Sequence, residues 1–282
     1  MRHTAIRSIL IALLAALLPG SMGLSLAIAQ PPANPAAGHR EMPDDPYVPM
    51  PEDQRVTAPA RVWEHNGHSS VQVNVDAQGQ DILNDAANEP SIAVDPTNPA
   101  HIAIGWRQFD NIASDFRQAG YGYTTDSGYT WTFPTVIEPG IFRSDPVLDS
   151  DADGNFFYNS LTADDGPSNF RIQVFKSTDG GATWDSGAYA FGGDKQWQAI
   201  DTTDGIGRGN IYHAWNSSFS ACSGNFSRSY DGGQSFEPCT TVAGNPYWGT
   251  VAVGPDGELY VSGTGMTIAR STTMQDGSLP AA

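Results

Sequence analysis

The sequence predicts an all-β fold, a β-propeller of four-stranded antiparallel blades, and three observations support this prediction. Its 282 residues include 30 Gly and 20 Pro, with 10% aromatic and only 16% charged residues, a composition typical of sheets joined by tight turns. No sustained helical period occurs beyond the N-terminus. One motif recurs with its aspartates 53 and 52 residues apart, and such a period indicates repeated supersecondary units, as in propellers.

The recurring motif occupies Thr124–Trp131, Ser177–Trp184 and Ser229–Phe236. Each copy has a hydroxyl residue, then an Asp, a Gly, a second hydroxyl residue and a final aromatic residue. Gly permits the positive φ of a tight turn, and the Asp carboxylate can accept hydrogen bonds from nearby backbone amides. We expect the aromatic residue to pack between sheets. Structural roles are therefore predicted for Asp126, Gly128, Trp131, Asp179, Gly181, Trp184, Asp231, Gly233 and Phe236.

A second repeat runs in phase with the first and completes the blade pattern. Apolar segments, each followed by a turn and a further apolar strand, begin at Pro90, Pro146, Gln198 and Thr250. Each unit thus contains strands A, B, C and D, with the motif at the turn between C and D. The predicted blades span 89–140, 143–193 and 194–244, and a partial fourth covers 246–282. The alternating residues 71–75 are expected to form the closing strand of a further blade.

The N-terminal residues predict export. Arg2 and Arg7 precede an apolar run, and the small residues Ala27 and Ala29 suit a signal-peptidase site. Residues 1–29 are therefore interpreted as a signal peptide, and the mature chain is expected in the periplasm or outside the cell. Residues 30–60 hold eight prolines and are predicted to be a disordered or extended spacer. The propeller is predicted to span 61–282.

The charge of the chain limits its partners. The net charge is −17, and a strongly acidic surface repels nucleic acids and anionic membranes. No segment after the signal peptide is long and apolar enough to span a bilayer. We therefore expect neither a nucleic-acid partner nor a membrane span.

The motifs at 124–131, 177–184 and 229–236 resemble the Asp boxes of the bacterial neuraminidase repeat family, in the sialidase-like superfamily. The resemblance covers about residues 71–282. It implies a six-bladed ring, so the chain is expected to be a truncated member. It also implies that the Asp boxes lie on the face opposite the active site, which the B–C loops and the D-to-A connections would form.

The resemblance implies candidate site residues at that loop end. A sialidase-like site needs an arginine cluster for a substrate carboxylate, a Tyr nucleophile and acidic partners. The Arg-Ile-Pro motif of the family is missing before the first Asp box, which leaves catalysis open. An ordinary loop charge or a core aromatic is the alternative for each candidate. The candidates are Asp110, Asp145, Tyr247 and Glu89 for catalysis, and Arg107, Arg117, Arg143, Lys195, Trp197 and Trp248 for substrate binding.

Two further sites follow from residue spacing. Asp149, Asp151 and Asp153 precede Gly154 and resemble the opening of a calcium loop, although Asp-Gly is also ordinary hairpin chemistry. No other cofactor is expected. Cys222 and Cys239 are placed symmetrically about the third Asp box. In an exported chain they are predicted to form a disulfide across the C–D hairpin.

Two functions remain open from the sequence. The first is an exported glycan-acting enzyme, a glycoside hydrolase of exo-sialidase type. The second is a non-catalytic extracellular propeller that binds a glycan or a protein. Fold alone does not decide between them.

Overall fold

A computed structural model describes residues 41–49, 57–163 and 169–278. Three short strands come first: β1 (Thr57–Pro59), β2 (Arg61–His65) and β3 (His68–Gln72). The predicted signal peptide, residues 1–29, lies outside the described residues. No helix in the described ranges is long and apolar enough to cross a membrane.

The remaining strands form four successive antiparallel sheets, each corresponding to a predicted blade. The fold class predicted from the sequence is confirmed. Blade 1 contains β4 (Ala86–Val94), β5 (Ile102–Phe109), β6 (Arg117–Thr124) and β7 (Thr130–Ile137). Blade 2 contains β8 (Ser144–Ser150), β9 (Phe156–Ala163), β10 (Phe170–Ser177) and β11 (Ala188–Tyr189).

Blades 3 and 4 each have three regular strands. Blade 3 contains β12 (Trp197–Ile200), β13 (Ile211–Ala214) and β14 (Phe226–Ser229), and a bridge from Phe226 to Thr240 extends its outer edge. Blade 4 contains β15 (Val251–Val253), β16 (Leu259–Gly263) and β17 (Thr267–Ser271). Short 3-10 turns follow β13 at Ser217–Phe219 and β16 at Thr264–Met266.

The first strands of the four blades, β4, β8, β12 and β15, are the inner strands. Each contacts the inner strand of the next blade. Hydrogen bonds join them in places: the Leu148 amide donates to Ser91 Oγ at 2.9 Å, and the Ile200 amide donates to Asp149 Oδ2 at 3.1 Å. The hydrophobic clusters lie mainly between neighbouring blades, with Tyr158 and Phe175 between blades 1 and 2. A residue near the end of one inner strand is thus close to its counterpart on the next blade.

The repeated Asp turns have one hydrogen-bond pattern. In the first, Asp126 Oδ1 accepts the Thr130 amide at 2.9 Å, and its Oδ2 accepts the Thr130 hydroxyl at 2.7 Å. Asp179 and Asp231 make the equivalent bonds in the other two turns. The Ser127 amide donates to the Ala100 carbonyl at 3.0 Å, so this C–D turn lies beside the A–B turn of its blade. Local side-chain bonds of this kind explain why the motif marks a turn in each copy.

The B–C loops and D-to-A connections meet at the opposite end of the blades, the loop end. The Arg143 amide donates to the Arg117 carbonyl at 3.0 Å, and the Thr264 amide donates to the Tyr247 carbonyl at 2.9 Å. The predicted Cys222–Cys239 disulfide is present, with the two Cα atoms 6.5 Å apart. It joins the B–C loop of blade 3 to the chain beyond β14.

Part of the predicted spacer lies against blade 1. Strand β1 pairs with β7, from Thr57 opposite Thr132 to Pro59 opposite Thr130. Segment 41–49 contacts the loop end of the same blade through Glu41. The sequence did not predict this contact, because the segment has no hydrophobic period and its partners lie far along the chain.

The alternating residues 71–75 do not close a blade. Strand β3 pairs with β2, from Arg61 opposite Gln72 to His65 opposite His68, in a separate two-stranded hairpin. The turn at Asn66 and Gly67, both at positive φ, joins two strands that are close in sequence. Local pairing therefore replaces the long-range pairing that the pattern predicted.

Candidate active site

The inner strands share a backbone kink at the loop end. Glu89, Asp145, Lys195 and Trp248 have φ values of 52°, 46°, 55° and 57°. Glu89, Asp145 and Lys195 each stand two residues before a position that pairs with strand B, and Trp248 stands three residues before such a position. β-Bulges occur there in β4 and β8. Residues other than Gly seldom adopt this left-handed region, and such strain is concentrated at functional sites. Equivalent positions on four blades thus present four different side chains near one another.

Three of these side chains belong to one charged network. Lys195 Nζ lies 2.9 Å from Asp145 Oδ2, and Arg107 Nη1 lies 3.7 Å from Asp145 Oδ1. Arg107 also forms an ion pair with Glu89 and donates from Nε to Asn88 Oδ1 at 2.9 Å. The Asp145 side chain is only 6% exposed, whereas that of Glu89 is 41% exposed. The network therefore runs from a buried carboxylate to one that solvent can reach.

The two carboxyl groups of the network have pKa values displaced in opposite directions. Burial, and then the negative charge of Asp145, raise the pKa of Glu89. Burial also disfavours the ionised form of Asp145, but the Lys195 ammonium, Ser144 and Arg107 outweigh it and lower the pKa of Asp145. The environment thus displaces the pKa of Glu89 upward and that of Asp145 downward. A pair of this kind can act as an acid beside a fixed anion.

A cleft of about 300 Å³ opens onto this pair. Glu89, Asp145 and Lys195 line this cleft together with Trp197, which is 46% exposed. An exposed aromatic ring beside charged groups can stack on the apolar face of a sugar. A second cleft, of about 360 Å³, shares Pro90 with the first and is lined by no titratable side chain. The smaller cleft therefore has the titratable side chains.

Arg107 and Arg117 share a carboxylate ligand from the chain itself. Arg117 Nη2 donates to Glu41 Oε2 at 2.5 Å, and Arg107 Nη1 lies 3.5 Å from the same oxygen. Ser144 Oγ donates to that oxygen at 3.1 Å. The sequence did not predict roles for Glu41 or Ser144. The repeat of Asn88-Glu89-Pro90 in blade 1 and Ser144-Asp145-Pro146 in blade 2 is the signal that could have identified Ser144.

Arg143 is directed away from this carboxylate pocket. Its side chain is 2% exposed, pairs with Glu138 and donates from Nη2 to Gln173 Oε1 at 2.8 Å. Its guanidinium lies over the Phe175 ring at 4.9 Å, and burial lowers its pKa. Two of the three predicted arginines, Arg107 and Arg117, therefore lie together, and the third, Arg143, packs onto blade 2.

Asp110 holds a backbone amide of the N-terminal segment. Its Oδ2 accepts the Val48 amide at 2.5 Å, and its Oδ1 accepts Gln118 Nε2 at 2.9 Å. Burial raises the pKa of Asp110. Asp110 thus contacts segment 41–49 and does not line the cleft that contains Glu89 and Asp145. Its predicted catalytic role stays a prediction.

Tyr247 and Trp248 line a small neighbouring cleft with Lys195, Trp215 and Ser262. Both aromatic side chains are exposed, and Trp248 lies 6.4 Å from Phe219 between ring centroids. Lys195 belongs to both clefts, so Tyr247 lines the cleft next to the one that contains Glu89. The structure brings Glu89, Asp145, Lys195 and Trp197 into one cleft, and Arg107 forms ion pairs with its two carboxylates. Tyr247 and Trp248 line the neighbouring cleft.

The carboxylates of the candidate calcium loop accept hydrogen bonds from the backbone or form an ion pair. Asp151 Oδ1 accepts the amides of Asp153 and Asn155 at 3.0 and 2.9 Å, and Asp153 pairs with Arg208 at 2.8 Å. The described part of the chain contains no cluster of three His, Cys, Asp or Glu side chains that could hold a metal ion. The turn uses its carboxylates to bind its own backbone, as hairpin chemistry predicts.

Comparison with solved structures finds low-identity similarity. A structure of unknown function from Dyadobacter fermentans is 16% identical, with 68% of this chain and 67% of that chain covered and a TM-score of 0.44. A Hadza microbial sialidase is 12% identical over 63% of this chain, which spans 40% of the sialidase, with a TM-score of 0.46. An α-L-arabinanase from Penicillium chrysogenum, complexed with arabinobiose, is 13% identical over 79% of this chain and 68% of its own length, with a TM-score of 0.44. No family model and no curated protein matches the sequence.

Proposed function

We propose that the chain is an exported, sialidase-like Asp-box propeller that hydrolyses a glycosidic bond in the loop-end cleft. The observation that carries the proposal is the arrangement of Glu89 and Asp145 in one cleft. Both carboxyl groups contact Arg107, and only Asp145 also contacts Lys195. Glycoside hydrolysis needs a carboxylic acid that keeps its proton and a carboxylate that stays charged, and the opposite displacements of the two pKa values support these roles for Glu89 and Asp145.

Each residue then has a chemical task. Glu89, the more exposed of the two and the one with the raised pKa, donates its proton to the oxygen of the leaving group. Asp145, ionised beside Lys195, stabilises the positive charge that develops on the sugar ring in the transition state. A water molecule or the Tyr247 hydroxyl attacks the anomeric carbon and passes its proton to Asp145; after attack by Tyr247, water releases the sugar from the enzyme. Trp197 stacks on the ring and fixes its orientation.

An acidic sugar suits the site best. Arg107 and Arg117 bind the carboxylate of Glu41 in this structure, so their spacing fits a carboxylate. Guanidinium groups recognise carboxylates through directed hydrogen bonds, which supports a sialic or uronic acid as the substrate sugar.

Fluorogenic glycosides test the proposal. The chain from Gln30 onward is assayed with a sialoside, a uronide and neutral glycosides, and compared with Glu89→Gln and Asp145→Asn. Loss of an acid or base typically costs about 10²–10⁴-fold in rate, so we expect a fall of that size in both variants. Glu64→Gln removes an exposed acid on β2, bonded to Ser69, and is expected to keep full activity. A folded protein that turns over none of these substrates would refute the proposal.

A second candidate is a non-catalytic module that binds a glycan. It is favoured by the three exposed aromatic side chains at the loop end, Trp197, Tyr247 and Trp248. Such a module binds oligosaccharides without releasing product, and Glu89→Gln leaves its affinity unchanged. Trp197→Ala lowers that affinity in either case, because stacking is lost.

A further inference from the structure

The carboxylate pocket of Arg107, Arg117 and Ser144 is filled by the chain's own N-terminal segment. Glu41 Oε2 accepts hydrogen bonds from Arg117 Nη2 at 2.5 Å and Ser144 Oγ at 3.1 Å. Glu41 is 7% exposed overall. Ser144 Oγ lies 2.8 Å from Asp145 Oδ1, so the bound carboxylate is a direct neighbour of the Glu89–Asp145 pair.

The rest of segment 41–49 is held by contacts near the surface. Asp115 accepts the amides of Asp44 and Asp45, each at 2.9 Å, and Asp110 accepts the Val48 amide at 2.5 Å. The Tyr47 ring lies 5.7 Å from Phe116. No residue of the segment belongs to a strand. Each of these exposed hydrogen bonds contributes about 1 kcal/mol or less, so the buried Glu41–Arg117 ion pair is the main anchor of the segment. Release of the segment breaks that ion pair but opens no sheet.

The sequence of the segment favours binding as an extended ligand. Pro43, Pro46 and Pro49 recur at every third residue, which is one per turn of a polyproline II helix. A chain preordered in this way loses little entropy when it binds. Segment 41–49 therefore has the properties of an internal peptide ligand with a carboxylate at one end.

The charged groups around the pocket determine which kind of ligand it would bind once Glu41 has left. Around the pocket, three cations (Arg107, Arg117 and Lys195) face Glu89, Asp145 and Glu41, and Asp115 also interacts with Arg117. Removal of Glu41 leaves two guanidinium groups without their shared carboxylate. Unpaired charge in a half-buried site is costly, so a carboxylate from solution would be attracted there.

We propose that segment 41–49 is an internal competitor, in which Glu41 occupies the Arg107–Arg117–Ser144 pocket and must leave before an external carboxylate ligand can bind. The inference shares its site with the proposed function but holds equally for an enzyme and for a binding protein. The apparent affinity of an external ligand is then reduced by the fraction of molecules in which the pocket is open.

Ligand-observed NMR titration with D-glucuronate and its uncharged methyl ester tests the competition. If the segment closes the pocket in about nine molecules of ten, Glu41→Gln binds glucuronate about tenfold more tightly than the natural chain. The methyl ester shows no such gain, and neither does Glu64→Gln. Adding Arg117→Ala to Glu41→Gln abolishes the gain. Equal affinities in the natural chain and Glu41→Gln, or an equal gain for the ester, would overturn the proposal.

A measurement on the natural chain makes the test independent of how Glu41→Gln folds. Hydrogen exchange is followed at the amides of Asp44, Asp45 and Val48, which donate to Asp115 and Asp110. We expect saturating glucuronate to speed exchange at these three amides and to leave the strands of blade 2 unaffected. Unchanged or slower exchange would mean that ligand and segment do not compete. Because no glycoside is present, this result is separate from the presence or absence of hydrolysis.

Discussion

Lys195→Met removes the ammonium that stabilises the ionised form of Asp145. Lys195 Nζ lies 2.9 Å from Asp145 Oδ2, and the Asp145 side chain is 6% exposed. Breaking a buried ion pair by removing one partner costs about 3–5 kcal/mol. The Lys195 side chain is 34% exposed, so solvent screening reduces its contribution, and Arg107 still faces Asp145 at 3.7 Å. We therefore expect a loss of about 1–3 kcal/mol in the free energy of unfolding at neutral pH.

The pH dependence of this stability loss shows whether the Lys195–Asp145 ion pair causes it. The pKa of Asp145 lies below its usual value, so its ionisation stabilises the fold above the unfolded pKa of about 3.9. That contribution is lost as the pH falls through the lower pKa of the folded state. Without Lys195 the folded pKa of Asp145 rises. The difference between the natural chain and Lys195→Met should therefore be largest near pH 7 and shrink as the pH falls below about 3.9.

Urea unfolding over this pH range measures the effect. The control is Lys176→Met, at the only other lysine in the sequence, whose Nζ lies over the Phe157 ring at 5.0 Å. We expect the control to lose less stability and to show no comparable pH dependence. The reasoning is refuted if Lys195→Met loses the same free energy at pH 7 as in acid, or if it matches Lys176→Met throughout.

Three further predictions concern the blades that position the site. Burial raises the pKa of Asp149 to about 6, so the free energy of unfolding should fall by up to about 3 kcal/mol as the pH rises from about 4 past 6. Urea unfolding of Asp149→Asn should show a flatter pH dependence. Gly105→Ala should cost about 1–3 kcal/mol in the same assay, because its Cβ would lie 2.4 Å from Tyr158 Cε2 between blades 1 and 2. Reduction of Cys222–Cys239, which are 17 residues apart, should cost about 3 kcal/mol, measured as a lower melting temperature.

Each of these has an outcome that contradicts it. Stability that does not change across the titration range of Asp149 would show that its carboxyl is solvated. Gly205→Ala, whose Cβ would meet only Thr203 Oγ1 at 3.2 Å, is the control for Gly105→Ala, and equal costs would refute the packing argument. Melting that is insensitive to reductant, with both thiols shown to be free, would mean that the disulfide does not restrain the unfolded chain.

The fold could be predicted because its signals are local. An Asp, a Gly and a hydroxyl residue within eight positions determine each repeated turn, and their hydrogen bonds never reach beyond that turn and its own blade. The loop end could be predicted for the same reason, since strand order determines where the D-to-A connections lie. Glu89, Asp145 and Lys195 were identified from that topology, and the structure brings them into one network.

The remaining parts of the site depend on contacts that sequence patterns do not encode. Glu41 reaches Arg117 and Ser144 across 76 and 103 residues, from a proline-rich segment with no hydrophobic period. Arg143 was expected beside Arg107 because the sialidase-like resemblance implies an arginine cluster at the loop end, but packing on Phe175 directs it elsewhere. Side-chain direction in a charged cluster depends on the neighbours that fill the space, and these come from the next blade.

The kinked inner strands suggest how a repeated fold acquires a single site. The backbone at Glu89, Asp145, Lys195 and Trp248 is nearly the same, and the inner strands bring consecutive copies side by side. Left-handed backbone costs a non-Gly residue about 1–2 kcal/mol, so four copies of it are retained against a stability penalty. A regular strand would alternate these side chains between the two faces of a blade. Because the kink departs from that alternation, Glu89, Asp145 and Lys195 meet at the loop end. The repeat provides equivalent positions, and the different residues at those positions provide the chemistry.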